Sequence, residues 1–162
     1  MKFVFLYYYY QEKIRDVKRT EFPPLGMLYI CSIVENMGHE VEVFYFDSTT
    51  PIEEFPVADV YAYSISSTAS YPVYLKVAPF LKNKYNKSFA GNTHASIFPN
   101  VVLRELNVDA VFVGESEETV QEWIRSGMKQ KELFLEIGKK ILISHFQTEN
   151  YFQLKKYICQ IG

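Results

Sequence analysis

"KFVFLYYYY", residues 2 to 10, is almost unbroken apolar and aromatic sequence. A strand with one wet face alternates apolar and polar residues. A strand covered on both faces reads as a continuous run, as at the centre of a parallel sheet. The run is too short to span a membrane and lacks the small-residue cleavage site of a secretory signal. It is read as a first strand, buried on both sides.

Further along the chain, "FPPLGMLYICSIVENMGHE" has proline where a helix should start and Gly38 where one should stop. Leu25, Leu28, Tyr29, Ser32 and Ile33 share one helical face and Met27, Ile30, Cys31 and Val34 the next, so the helix is expected to pack on the sheet and on another helix. "EVEVFYF" is the second strand, ending at Asp47. In "STTPIEEFP", Thr50 precedes Glu53 by the spacing of a capping box, with Pro51 between. "ADVYAYSIS" predicts a third strand and "SYPVYLKVAPFLKNKYN" a helix with Tyr74, Val77, Ala78, Leu81 and Tyr85 on one side. "KSFAG", "IFPNVVLRELN" and "DAVFVG" continue as strand, helix and strand. "ESEETVQEWIRSG" reads as Ser116 capping a helix with Glu117 and Glu118 in its first turn, Val120, Trp123 and Ile124 buried, and Gly127 as its stop.

Strands alternating with helices in this way indicate an α/β protein. The expected fold is a three-layer, Rossmann-like (flavodoxin-like) open sheet of five mainly parallel strands in order 2-1-3-4-5. With 162 residues, 48% of them hydrophobic, the chain can bury one good core. The expected division is an α/β body over residues 1–128 and a C-terminal extension over 129–162. The extension carries six lysines against three glutamates, and its apolar segments, "LFLEIGKKILISHFQ" and "YFQLKKYICQI", read as a helix, a strand or extended segment, and a final helix.

A balance of 17 basic and 19 acidic residues argues against gripping nucleic acid by phosphate neutralisation. Two cysteines, Cys31 and Cys159, are too few for a disulfide framework and fit a reducing, cytoplasmic compartment. No membrane association is expected.

In open α/β sheets ligands bind outside the carboxyl ends of the strands. The loops expected there are 10–21, 47–50, 66–71, 91–96 and 114–116, of which "SSTAS", "GNTHAS" and "GES" are small and polar. Such loops need glycine to turn and serine or threonine to cap whatever the function, so taken singly they leave both readings open. No G-x-G-x-x-G follows the first strand and no G-x-x-x-x-G-K-[ST] occurs, which sets the common nucleotide sites aside. His39, His94 and His145 have no metal-ligand spacing, and Cys31 lies in an apolar helix, where a structural thiol is the expectation. The loop with Lys13, Arg15, Lys18 and Arg19 reads as solvated. Glu115, Glu117 and Glu118 read as helix-start carboxylates.

Taken in order, "FPPLGMLYICSIVENMGHEVEVFYFD", "ADVYAYSISS", "FAGNTHASIFPNVV" and "VDAVFVGESEETVQEWI" resemble the cobalamin-binding domain at the N-terminus of cobalamin-dependent radical SAM enzymes. The resemblance spans roughly residues 1 to 127. It implies a Rossmann-like domain holding cobalamin at the carboxyl edge of the sheet, corrin ring outward and dimethylbenzimidazole tail buried beside the strands. On that basis Ser66, Ser67 and Thr68 match the loop near the tail. Gly91, Asn92, Thr93 and His94 match the family's G-G-x-H turn, with His94 expected to hydrogen-bond cofactor amides or phosphate. Gly114, Glu115, Ser116 and Glu117 match its G-E-x-E turn.

Asn92 stands where the family has a second glycine, and Tyr7 to Tyr10 put large rings near the tail's entry. The D-x-H-x-x-G that supplies a lower cobalt ligand in other carriers is replaced by "YYYYQEKIRD". No metal-ligating protein residue is therefore expected. The C-x-x-x-C-x-x-C of an iron–sulfur cluster cannot be built from Cys31 and Cys159. The resemblance thus implies a cobalamin-binding module without an iron–sulfur cluster and not catalytic alone. It would form part of a radical SAM enzyme or methyltransferase and work with a radical SAM protein or domain. The competing expectation is an interaction or regulatory domain that kept the fold without the cofactor, its tail covering the carboxyl edge or making a homodimer contact.

Overall fold

The computed structural model describes residues 1–9, 24–128, 132–137 and 140–145. The expectations for the basic loop, for Cys159 and for a final helix lie outside the described residues. The elements follow as β1 (Lys2–Tyr8), α1 (Leu25–Asn36), β2 (Glu40–Phe46), a single 3-10 turn (Ile52–Glu54), β3 (Val60–Ser64), α2 (Tyr71–Leu81) and β4 (Lys87–Gly91). Two short helices, α3 (Thr93–Ile97) and α4 (Pro99–Glu105), lead to β5 (Ala110–Val113), α5 (Glu117–Arg125), β6 (Glu132–Ile137) and β7 (Lys140–His145).

The first five strands are all parallel and lie in the order β2-β1-β3-β4-β5, as expected. The sheet continues past residue 128: β6 pairs parallel with β5, and β7 pairs antiparallel with β6. The first part of the extension thus adds two strands to the sheet of the body.

Alternation along each central strand divides the core into two layers. Val4, Leu6, Tyr8, Tyr61, Tyr63, Ala90 and Val111 face α2, α3 and α4, where Tyr74, Ala78, Ala95 and Val102 meet them. Phe3, Phe5, Val60, Ala62, Phe89, Ala110 and Phe112 face α1 and α5, against Met27, Ile30, Val34, Val120 and Trp123. Both faces are covered, which is why β1 reads as a continuous apolar run. Trp123 is fully buried, with its ring centroid 5.6 Å from that of Phe89 and 5.8 Å from that of Phe112.

Several local expectations change. On α1 only the Met27, Ile30, Cys31, Val34 face is buried, while Leu25 and Tyr29 are 73% and 59% exposed. The helix predicted over residues 70–86 stops at Leu81, leaving Tyr85 in an exposed turn. Thr50 makes no helix cap: its hydroxyl accepts from the Asp47 amide at 3.0 Å, within a turn that Asp47 organises. That turn's hydrogen bonds, first from the Thr49 hydroxyl, hold the Asp47 carboxyl below the usual carboxylate range.

Candidate functional site

The register of the sheet places small side chains where the core would otherwise be filled. Phe5 pairs with Ala62, and Ala62 with Phe89; one step toward the carboxyl edge, Tyr7 pairs with Ser64 and Ser64 with Gly91. At the middle of this face β3 and β4 therefore present Ala62, Ser64 and Gly91 between large rings. The space left is a cavity of about 470 Å³, within the roughly 300–1,000 Å³ of small-molecule sites. Met27 and Ile30 of α1 and Val120 of α5 also line it, and its mouth carries Pro24, Leu25, Gly26, Gly114, Glu115, Ser116 and Glu117.

Gly91 is informative because its backbone does not demand glycine. Its φ lies outside the left-handed region, and a Cβ there would meet nothing closer than the Phe112 carbonyl oxygen at 3.9 Å. The missing side chain leaves room in the cavity and serves no turn. Gly26, in the first turn of α1, likewise has nothing within 4 Å of an added Cβ.

Asn92 is the opposite case. Its φ of 79° and ψ of −175° fall in a region that only glycine enters readily. The side chain compensates locally: Oδ1 accepts from the Thr93 amide at 2.7 Å, and Nδ2 donates to Ser64 Oγ at 3.1 Å. Asn92 thus caps α3 and borders the cavity with its amide already engaged.

Of the residues singled out in the sequence, Gly91, Asn92, Gly114, Glu115, Ser116 and Glu117 line the cavity, and Ser66, Ser67, Thr68, Thr93 and His94 do not. The loop after β3 is largely engaged with itself and with His94. Ser70 Oγ donates to the Ser67 carbonyl at 2.8 Å, and Thr68 Oγ1 lies 3.1 Å from His94 Nδ1. His94 is only 4% exposed, its ring packed on Tyr71 and Phe98 with centroids 4.4 and 5.1 Å away. Burial pushes its pKa below the ordinary histidine value, and Nε2 is buried without a hydrogen-bond partner among the described residues. Ser116 precedes α5 but makes no side-chain cap; instead its carbonyl accepts from Thr119 Oγ1 at 3.1 Å.

Sequence patterning missed the cavity's floor, Phe5, Ala62, Phe89 and Phe112, and Ser64 one step nearer its mouth, all of which read as ordinary core. The available signal was small residues at same-face positions of adjacent strands, visible only with the register known. It also missed Tyr74, whose buried hydroxyl accepts from the Tyr8 amide at 3.0 Å and donates to the Ser64 carbonyl at 2.7 Å. This fixes the carboxyl ends of β1 and β3 beside the site.

The cavity's described wall is mostly apolar. Glu115 and Glu117 are the charged groups on its described wall. Cys31 points into the core, its thiol pushed up to about 12 by burial. Among the described residues no group of three or more histidine, cysteine, aspartate or glutamate side chains is placed to hold a metal ion. Nor, among them, is any helix long and apolar enough to cross a membrane.

The chain is 30% identical over 134 residues to an uncharacterized methyltransferase of Pyrococcus horikoshii; the match covers 76% of this chain and 28% of that protein. It therefore spans under a third of that relative. Among solved structures, the N-terminal domain of a hypothetical protein of Thermotoga maritima superposes with a TM-score of 0.50 at 21% identity, covering 72% of this chain and 97% of that one. This likeness concerns the fold. Residues 13–124, more than half of the chain, match the family model described as the B12 binding domain, and with the cavity at the carboxyl edge of a flavodoxin-like sheet, the chain belongs to the B12-binding domain family.

Proposed function

We propose that this chain is a cobalamin-holding module and that it serves a radical SAM or methyltransferase domain, on the same polypeptide or on a partner. The observation that carries the reading is the cavity over β3 and β4, kept open by Ala62 and Gly91 where larger side chains would fit. The residues suit the cofactor: an apolar floor for the tail's aromatic base, and a rim where Ser116, Glu115 and Glu117 can accept from corrin amides. Asn92 does not stand against this, because its amide is tied to Ser64 and Thr93. When bound, the cofactor's cobalt supplies methyl-group or radical chemistry; the protein supplies seating, orientation and exclusion of water from the base. The long relative from Pyrococcus horikoshii, described as a methyltransferase, supports a role within a larger assembly.

Incubation with hydroxocobalamin followed by gel filtration tests the proposal. Corrinoid absorbance should co-elute with the protein at about one equivalent. A protein that elutes colourless from saturating cofactor overturns it.

A further inference from the structure

We infer that the cavity selects among corrinoids by their lower base, favouring an apolar benzimidazole over a purine. This rests on the cobalamin reading above and deepens it. The floor consists of Phe5, Met27, Ala62, Phe89, Phe112 and Val120, none of which carries a polar side-chain atom able to pair strongly with a base. The strand backbones beneath them are committed to the ladders joining β1, β3 and β4. Among the described residues, polar side chains on this wall begin at the level of Ser64, whose oxygen accepts from Asn92 Nδ2 at 3.1 Å.

Dimethylbenzimidazole presents two methyl groups and a fused benzene ring to such a floor, and loses little on leaving water. Adenine presents an exocyclic amine and additional ring nitrogens. Seated there, these lose their hydration and gain no partner, a penalty of roughly ten- to a hundredfold in affinity. The discrimination is one-sided. A floor with a single hydroxyl would relieve it, whereas extra volume alone would not.

The test titrates the full chain, by visible absorbance, with two corrinoids that share the corrin ring and nucleotide loop and differ only in the base. Both are used as dicyano forms, in which the base is already free of cobalt. Cobalamin should bind at least tenfold more tightly than the adenine corrinoid. A ratio below tenfold overturns the inference while leaving the cobalamin reading standing, whereas absence of binding by either ligand overturns both. Cobinamide, which has no base, should bind more weakly than cobalamin; equal affinity also counts against base seating. V120T places a hydroxyl in the floor at nearly constant volume, and circular dichroism reports whether the variant remains folded. In a folded V120T the ratio should fall at least threefold; a smaller fall overturns the assignment of the floor.

Discussion

Asn92 shows why a motif position favours glycine for a reason other than space. Its backbone sits where a side chain costs about 1–3 kcal/mol, and its two hydrogen bonds offset part of that cost. Asn92→Gly removes both cost and compensation, so its stability should stay within about 1 kcal/mol of the parent. Asn92→Ala keeps the strained backbone and loses the bonds, and should be destabilised by about 2 kcal/mol; urea melts of the two variants decide the matter. His94 gives a second expectation. Its folded pKa is depressed by burial, so its contribution to stability is fully present above the unfolded value of about 6.5 and is lost as pH falls through the folded value. His39 is depressed in the same way, by burial and then by the N-terminal charge. His94→Phe keeps the contacts with the Tyr71 and Phe98 rings. The variant should lose stability less steeply than the parent between pH 6.5 and pH 5, as read from denaturant midpoints across that range. The sequence places Asn92 and His94 in one turn, but nothing in it says that one borders a cavity while the other points into the opposite core layer.

The strands and helices were legible because each carries its own local signature. The unbroken run of β1, the glycine stops after α1 and α5, and the acidic first turn of α5 all correspond to described structure. What failed was capping at Thr50 and Ser116, where a side chain of the right kind bonds elsewhere or not at all. The cavity was illegible for a different reason, since it depends on which residues of β3 and β4 lie side by side, and pairing is not a local property. Its physical basis can be tested at Gly91. Gly91→Ala adds a methyl in ordinary contact, without backbone strain, and should stabilise the apo-protein by about 0.5–1 kcal/mol. Gly91→Leu should fill the space between Ser64 and Phe112 and weaken hydroxocobalamin binding more than tenfold in a protein that remains folded. If the leucine variant binds as the parent does, the ligand does not enter the cavity.

Sheet order, layering and the carboxyl-edge location of the cavity follow from one constraint: parallel strands need covered faces and right-handed crossovers. That constraint made the order of the first five strands predictable. It could not say where the sheet ends, because β6 and β7 come from a segment whose apolar residues read as a helix followed by a strand or extended chain, and only pairing, of β6 with β5 and of β7 with β6, makes both of them strands. The sheet's growth past β5 has an energetic reason. β5 is only four residues long, and Phe112 on it packs its ring 5.0 Å from that of Phe134 on β6, behind Trp123. A chain ended at residue 128 would turn β5 into a short unpaired edge and uncover part of the Phe112 ring. Such a truncation should unfold at lower denaturant than the full chain by about 2 kcal/mol or more, and should self-associate through the exposed strand. Because Val120 and Phe112 line the cavity from this end of the sheet, its corrinoid affinity should fall together with its stability. A truncated chain that stays monomeric, as stable as the parent, would mean that the core closes at β5 and that β6 and β7 rest on it without supporting it.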